Sequence, residues 1–334
     1  MKSALVFGYY GYDNLGDELL CQATLDILRS NRFDKMYLLV PKHKMKNYKQ
    51  KYVRPVNRFD PISVLNALLH SNYVICGGGG IFQDQTSLRS FIYYSSIVML
   101  SLFFRKPVIL LANSLGPIKR EFSRRILRYL LSRKKVFLIA RDNVSARYAK
   151  RFSKNVVEGT DLAIIALRKI AQDHGKKPQA TFCLKSPIDL SQILSLMKYT
   201  GIKRFVLAPL SPQDGKISQN LLSQYHELEL SSDPIHDIAS SSIVISQRMH
   251  GCLISAYFGV PFVAVNNSKA TRFMRKYLPR YSGYSSENPS DIVIAASKVL
   301  GESLNIKERL LMDSQKMEED FLKVLKSLRS QLGT

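Results

Sequence analysis

Ala4-Leu-Val-Phe-Gly8-Tyr-Tyr-Gly11-Tyr-Asp13-Asn14-Leu-Gly16-Asp17-Glu18 is the stretch from which the fold is read. Residues 4–10 read as a strand, the glycines as a turn, and residues 17–30 as a helix. Gly8, Gly11 and Gly16 permit close backbone approach and positive φ. The spacing is not GxGxxG, and no acidic ribose ligand follows a second strand, so a dinucleotide is disfavoured. Asp13, Asp17 and Glu18 would repel an anion placed here. Carboxylates at a strand's end suit sugar hydroxyls or the role of a base. The plainer reading of Asn14 or Asp17 is a helix cap, whereas Asp13 caps nothing obvious.

The strand–helix alternation continues outward from this unit. Strand-like segments 36–40, 73–76, 107–112 and 136–140 alternate with helical stretches 61–70, 88–104 and 119–133, the rhythm of a parallel sheet with crossover helices. A polar stretch, Arg168 to Gln179 with Asp173, interrupts it. The rhythm restarts with strands 180–184, 203–208, 242–246 and 261–265 and helices 189–200, 249–258 and 289–300, and ends on a charged amphipathic helix, 304–331. The expectation is two Rossmann-like domains, residues 1–167 and 168–334, facing each other across a cleft, with ligands at the carboxyl ends of the strands.

Composition agrees with that size. The 334 residues are enough for two domains of about 150 each. Lys plus Arg number 49 against 26 acids, a net charge of +23 that asks for a polyanion, a membrane surface or anionic substrates. No helix-turn-helix, zinc-finger or RNP signature is present and there is no Trp, so nucleic acid is not expected. Cys21, Cys76, Cys183 and Cys252 have no CxxC spacing, which predicts neither a zinc site nor a disulfide framework and fits a cytoplasmic protein. The chain begins directly on a strand, so no signal peptide is expected, and Phe91–Phe104 is too short to span a bilayer and reads as a buried helix.

Four further motifs end strands. Gly77 to Gly80 follows Tyr73–Cys76, and amides such as those of Gly78 and Gly79 can cradle a phosphate or carboxylate, with Gln83 and Asp84 in the polar cluster beyond. Ser246-Gln-Arg248-Met-His250-Gly251 places a guanidinium for a carboxylate or phosphate and an imidazole for proton transfer at a strand-to-helix switch. Arg141-Asp142 closes the strand 136–140, and a mere surface pair is the alternative there. Asn266-Asn267-Ser268-Lys269 follows the strand 261–265, with Lys269 either adding charge to an anion site or lying on ordinary surface. Separately, the helix bearing Arg120, Arg124, Arg125, Arg128 and Arg133 has an apolar face of Phe122, Ile126, Leu127, Leu130 and Leu131. It reads as an amphipathic helix with a solvated basic face or as a patch resting on anionic lipid.

Taken together and in order, these motifs resemble the polysaccharide pyruvyl transferase family, most closely its CsaB-like branch, which pyruvylates secondary cell-wall polymers for S-layer anchoring. The likeness rests on Asn14-Leu-Gly16-Asp17-Glu18, on Gly77 to Ser87, on Arg141-Asp142, on Arg248-Met-His250, on Gly259-Val-Pro261 and on Lys269, and departs at Asn266-Asn267, where the family has Tyr-Asp. The resemblance implies a GT-B-like fold, phosphoenolpyruvate as donor, and no metal or organic cofactor. It implies His250 as proton donor or relay, Arg141, Arg248 and Lys269 on the donor's carboxylate and phosphate, and Asp13 or Asp17 orienting the acceptor. Asn14, Glu18, Gly78, Gly79, Gln83 and Asp84 are carried over as substrate-binding. The implied acceptor is N-acetylmannosamine in a lipid-linked cell-wall precursor, met in the cytoplasm or at the inner face of the plasma membrane, with an anionic membrane surface left open as a further partner. Two rival readings remain at this point. One is a GT-B glycosyltransferase using a nucleotide sugar, with Glu287 as its late ribose candidate. The other is a non-catalytic binder of anions or nucleic acid.

Overall fold

The computed structural model describes residues 2–170 and 174–332, so Asp173 of the polar stretch lies outside the described residues. Strands β1 (Ser3–Phe7), β2 (Lys35–Val40), β3 (Val53–Asn57), β4 (Tyr73–Phe82), β5 (Val108–Leu115), β6 (Val136–Ala140) and β7 (Val156–Glu158) form one sheet in the order β3-β2-β1-β4-β5-β6-β7. Strands β8 (Gln179–Cys183), β9 (Arg204–Leu207), β10 (Leu228–Leu230), β11 (Ile243–Ser246), β12 (Phe262–Val265) and β13 (Tyr284–Ser285) form a second, ordered β10-β9-β8-β11-β12-β13. Every ladder in both is parallel. Each sheet therefore starts in its middle and is wound outward both ways, and its order reverses between β1 and β4 or between β8 and β11. A crevice opens at such a switch point beyond the carboxyl ends of the strands.

The crossovers are helices α1 (Leu15–Ser30), α2 (Pro61–Leu69), α3 (Leu88–Phe103), α4 (Glu121–Leu131), α5 (Asn143–Lys150) and α6 (Ala163–Leu167) in the first half. The second half adds α7 (Ser191–Tyr199), α8 (Pro212–Gln224), α9 (Pro234–Ser240), α10 (Met249–Tyr257), α11 (Ser268–Tyr277) and α12 (Pro289–Val299) before the terminal α13 (Lys307–Leu332). Their starts are chemically explicit. Asp60, Ser87, Asp142, Ser211, Asp233, Asn267 and Asn288 each accept a backbone amide from the first turn of the following helix, and Pro opens α2, α8, α9 and α12. By contacts the chain divides into a unit of Met1–Asp13, Asp17–Ala166 and Met312–Thr334 and a unit of Asn14–Gly16 and Leu167–Leu311. The terminal helix is thus shared, most of it counting with the first unit, and the short Asn14–Gly16 piece counts with the second.

Three local expectations are corrected. The glycine run is not a loop beyond a strand: β4 continues through it to Phe82, with positive φ at Gly78 and Gly79 and a register shift against β5. Helix α3 is not wholly buried, because Ile92, Met99 and Phe103 face outward. Phe122 leaves the apolar face assigned to α4; Leu127, Leu130 and Leu131 are buried as that pattern requires, but Phe122 is 59% exposed.

Helix α4 is capped from outside. Its N-cap residue, Arg120, makes no side-chain cap. Instead the buried carboxylate of Asp84 accepts the amides of Lys119 at 2.7 Å and Arg120 at 2.9 Å. Burial opposes ionisation of Asp84, but these two amides together with the nearby Arg120 charge and the Ser123 side chain outweigh it, so its carboxyl lies below the usual carboxylate range. A pKa lowered by folding gives stability that is present above the unfolded value, about 4, and is lost as pH falls through the folded value. Asp84→Ala is therefore expected to lower unfolding stability in urea by about 1–2 kcal/mol near neutral pH, with the difference from the parent shrinking below about pH 4. Superimposable urea curves at pH 7 would remove Asp84 from this role.

Candidate active site

In the first unit the turn after β1 is tightly braced. Glu18 accepts the Gly11 amide at 2.9 Å through one carboxylate oxygen and the Tyr48 hydroxyl through the other. Burial, reinforced by Glu18, pushes the Tyr48 phenol up. Asp13 stands at φ 54°, a conformation uncommon outside glycine, and its half-exposed carboxylate takes both hydrogen bonds of the Lys44 ammonium, at 2.6 and 2.7 Å. Asp17 sits in the first turn of α1, near Gly79. Beneath the turn lies Arg58, 4% exposed, which donates to the Gly8 carbonyl at 3.3 Å and the Tyr94 hydroxyl at 2.9 Å amid the rings of Tyr12, Tyr93 and Tyr94.

The glycines of β4 are explained largely by what packs on them. A Cβ at Gly77 would overlap the Thr24 and Tyr10 hydroxyls, and the Tyr10 hydroxyl donates to the Gly77 carbonyl. A Cβ at Gly78 would press on Leu20 and Leu162, and the Gly78 carbonyl accepts the Asn113 amide at 2.7 Å. Gln83 folds its side chain back onto Gln85 and Thr86. With Asp84 occupied at α4, the polar cluster beyond the run builds local structure.

Arg141 leads into the turn that starts α5, but it does not pair with Asp142 as a surface ion pair would. Its Nε donates to Ser114 Oγ at 2.7 Å and its Nη1 to Asp161 Oδ2 at 3.2 Å, and the side chains of Arg141 and Asp161 are both buried. Ser114 donates onward to Asp142, which caps α5. Burial opposes ionisation of Asp142, and the Ser114 and Ser145 bonds hold its carboxyl below the usual range.

The second unit brings Asn14–Gly16 of the opening stretch together with the Ser246–Gly251 motif. After β11, Arg248 occupies the N-cap of α10 and makes no side-chain cap there. Its Nε and Nη2 grip the fully buried Asp214 carboxylate bidentately, and Nη2 also reaches Ser211 Oγ at 3.2 Å. Nη1 makes no hydrogen bond among the described residues, and the side chain is 28% exposed, so one guanidinium edge is held and the other presented. His250, two residues on, is half-buried with its ring packed against Gly16, where a Cβ would overlap Nδ1, Cγ and Cε1. The Leu15 amide donates to Leu210 at 2.8 Å, which fixes that segment. Asn267 caps α11 and donates to the Gln247 carbonyl at 2.9 Å, bracing the turn before Arg248; Lys269, in the first turn of α11, is exposed. The Gln247 side-chain carbonyl accepts the Lys185 and Ser186 amides, and its amide nitrogen reaches Glu287 at 3.3 Å. All four cysteines are buried, and desolvation holds the Cys252 thiol up at about 12, so none is poised as a nucleophile.

The family model of the polysaccharide pyruvyl transferases matches residues 14–269, well over half of the chain. The chain belongs to that family. No curated protein matches it in sequence. Among solved structures it is similar in fold to UDP-GlcNAc 2-epimerases. The Neisseria meningitidis enzyme, bound to UDP-GlcNAc, gives a TM-score of 0.64 at 15% identity over 97% of this chain and 100% of that one. The Rickettsia bellii UDP-N-acetylglucosamine 2-epimerase gives 0.64 at 9% identity over 98% of each chain. These likenesses are of fold alone, and with the two strand orders they make this family member GT-B-like.

Sequence reading of this transferase missed Asp161, Asp214, Arg58, Lys44 and Tyr48. Ser211-Pro-Gln-Asp214 carries a usable signal, a capping residue followed three positions later by an acid. Arg58 carries none, because its role depends on rings distant in sequence. The Gly16–His250 contact yields a direct test. Gly16→Ala lies within α1, where alanine is the better helix former, and its new methyl would overlap Nδ1, Cγ and Cε1 of His250, so the ring must shift. We expect the melting temperature to stay within a few degrees of the parent while the His250 ring-proton NMR signal, identified by its loss in His250→Ala, shifts. An unmoved signal would show that the ring does not rest on Gly16.

Proposed function

We propose that the protein transfers the enolpyruvyl group of phosphoenolpyruvate to two hydroxyls of one sugar and so forms a pyruvate ketal. What supports this reading most is the seating of His250 on Gly16. It joins the Asn14–Gly16 and Arg248–His250 motifs of the family in one unit, with an acid–base group beside a half-free guanidinium. The donor is a small trianion near neutral pH. It suits the amide-rich start of α10, which no side chain caps, with the Nη1 edge of Arg248 on its carboxylate or phosphate. Lys269 and Arg141 are the further cations we assign to the donor. Because Arg141 is already bound to Asp161, it adds field more than a free fork.

His250 delivers a proton to the methylene carbon of the donor. One sugar hydroxyl adds to the adjoining carbon and loses its proton to a base. Phosphate then leaves with its bonding pair, and a second hydroxyl of the same sugar closes the ketal and gives up its proton. Atoms and charge balance as phosphoenolpyruvate plus a diol giving a pyruvate ketal plus inorganic phosphate. The acceptor hydroxyls fall to the acidic start of α1, with Asp13 or Asp17 as base and Asn14 and Glu18 shaping the turn, since carboxylates there disfavour the donor. We take the acceptor to be N-acetylmannosamine in a lipid-linked precursor, pyruvylated at the cytoplasmic face of the membrane.

Two measurements test this. Phosphoenolpyruvate should raise the melting temperature as any native-state ligand does, and UDP-GlcNAc should not. A shift from UDP-GlcNAc alone would defeat the reading and favour nucleotide-sugar chemistry, with Glu287 beside Gln247 as the ribose partner. His250→Ala should lower phosphate release in the presence of acceptor by about 10²–10⁴-fold, the usual contribution of a general acid, while keeping the phosphoenolpyruvate shift. Near-parent turnover would move the proton to Asp13, Asp17 or Glu18.

A further inference from the structure

Helices α2, α3, α4 and α5 cover one face of the first sheet on a shared apolar core. Within that layer α3 and α4 pack side by side, and their C-terminal ends are tied by the Lys135 ammonium on the Arg105 carbonyl at 2.9 Å. Helix α3 turns Phe91, Tyr94, Ile97 and Val98 inward and α4 turns Leu127, Leu130 and Leu131 inward, yet each also carries an outward apolar stripe. On α3 the stripe is Ile92, Met99 and Phe103, at helical spacing and opposite the buried Phe91, Tyr94 and Val98. On α4 it is Phe122 and Tyr129, seven residues apart. Phe103 is 78% exposed. Scattered apolar surface residues need no explanation, but aromatic stripes on two adjoining helices form a patch.

The same segment is strongly basic. Residues 88–135 contain eleven Lys and Arg and one acid, Glu121, which lies against Arg124, Arg125 and Arg128. Arg125, Arg128 and Arg133 stand exposed among the outward rings, with Arg133 stacked on Tyr129 at 4.2 Å. A duplex nucleic acid would require the cations but not the outward Phe and Met, and a single strand would use rings but not the aliphatic Ile92 and Met99. A surface interleaving cations with aromatic and aliphatic side chains matches the headgroup region of an anionic bilayer, where the charges meet phosphate and the rings enter the acyl boundary. Among the described residues no helix is long and apolar enough to cross a membrane, so this is a seat and not a span. We propose that the outward face of α3 and α4 docks the protein on bilayers rich in anionic phospholipid. The proposal stands apart from the transferase reading, and neither depends on the other.

The absence of Trp from the chain supplies the probe. In Phe103→Trp the single indole should shift to shorter wavelength and be quenched by brominated lipid when vesicles of phosphatidylglycerol and phosphatidylcholine are added, and not with phosphatidylcholine alone. A Trp at Leu230, exposed in the second unit, should not respond. In co-sedimentation the pair Phe103→Ser, Phe122→Ser and, separately, the triple Arg125→Gln, Arg128→Gln, Arg133→Gln should each weaken vesicle binding at least tenfold with melting temperatures close to the parent. Equal binding by these variants overturns the proposal. So does a parent that ignores anionic vesicles and instead binds single-stranded RNA or pairs with itself through this face.

Discussion

Parallel strands packed on both sides by helices leave little room for polar side chains along their length, so polar chemistry concentrates where they end. In this protein the central strands are buried at every position, as in β1, β5, β6, β8, β11 and β12. Each crossover returns the chain to the opposite edge, so all carboxyl ends within a sheet lie on one side. The order reversal at β1/β4 and β8/β11 then opens one crevice per sheet. The turn of Gly8–Asp13 and the Arg248 turn sit at those positions by topology, before any particular side chain is considered.

Placing cations beside a closed core incurs desolvation, and the structure meets it by pairing each guanidinium with a polar group below it. Asp214, 1% exposed, takes two donors of Arg248, and Asp161, 3% exposed, takes one of Arg141. Removing either acid would leave a partly desolvated charge, a loss of about 3–5 kcal/mol in buried pairs generally. Arg58 is treated differently. Its described partners are a carbonyl, a phenol and several ring faces, an arrangement in which tyrosines offset the cost of burial and hold its pKa up. The two carboxylate-backed arginines differ in what remains free: Arg141 is enclosed, while Arg248 keeps an edge in solvent. That asymmetry makes Arg248 the better ligand-binding candidate, although the sequence presents the two alike.

The strands read from sequence were those with continuous apolar runs. The four that escaped, β3, β7, β10 and β13, are the outer strands of the two sheets and carry exposed or half-buried residues such as Arg54, Glu158, Glu229 and Tyr284. An edge strand is covered less and therefore lacks the pattern that reveals a central one. Helix α8 escaped for a related reason: its sequence, PQDGKISQNLLSQ, buries little, and its evidence lay in the Ser211 cap and Pro212. Site residues were legible where a motif ends a central strand, as for Arg141, Arg248 and His250. Their partners were not, because Asp161 and Asp214 are defined by contacts 20 and 34 residues away in the chain.

The glycines illustrate how a correct location can follow from an incomplete reason. Glycine-rich strand ends suggest bare amides awaiting an anion. Here a Cβ at Gly8 would strike the Tyr10 ring, at Gly77 Thr24 and Tyr10, at Gly251 Ser246, and at Gly16 the imidazole of His250. Each glycine makes room for a side chain that packs directly on its backbone, the kind of close seating that positioned groups require. Glycine content at these strand ends thus reports close side-chain packing around the site. His250 on Gly16 is the case in which a motif near the start of the chain sets the position of a candidate acid from its second half.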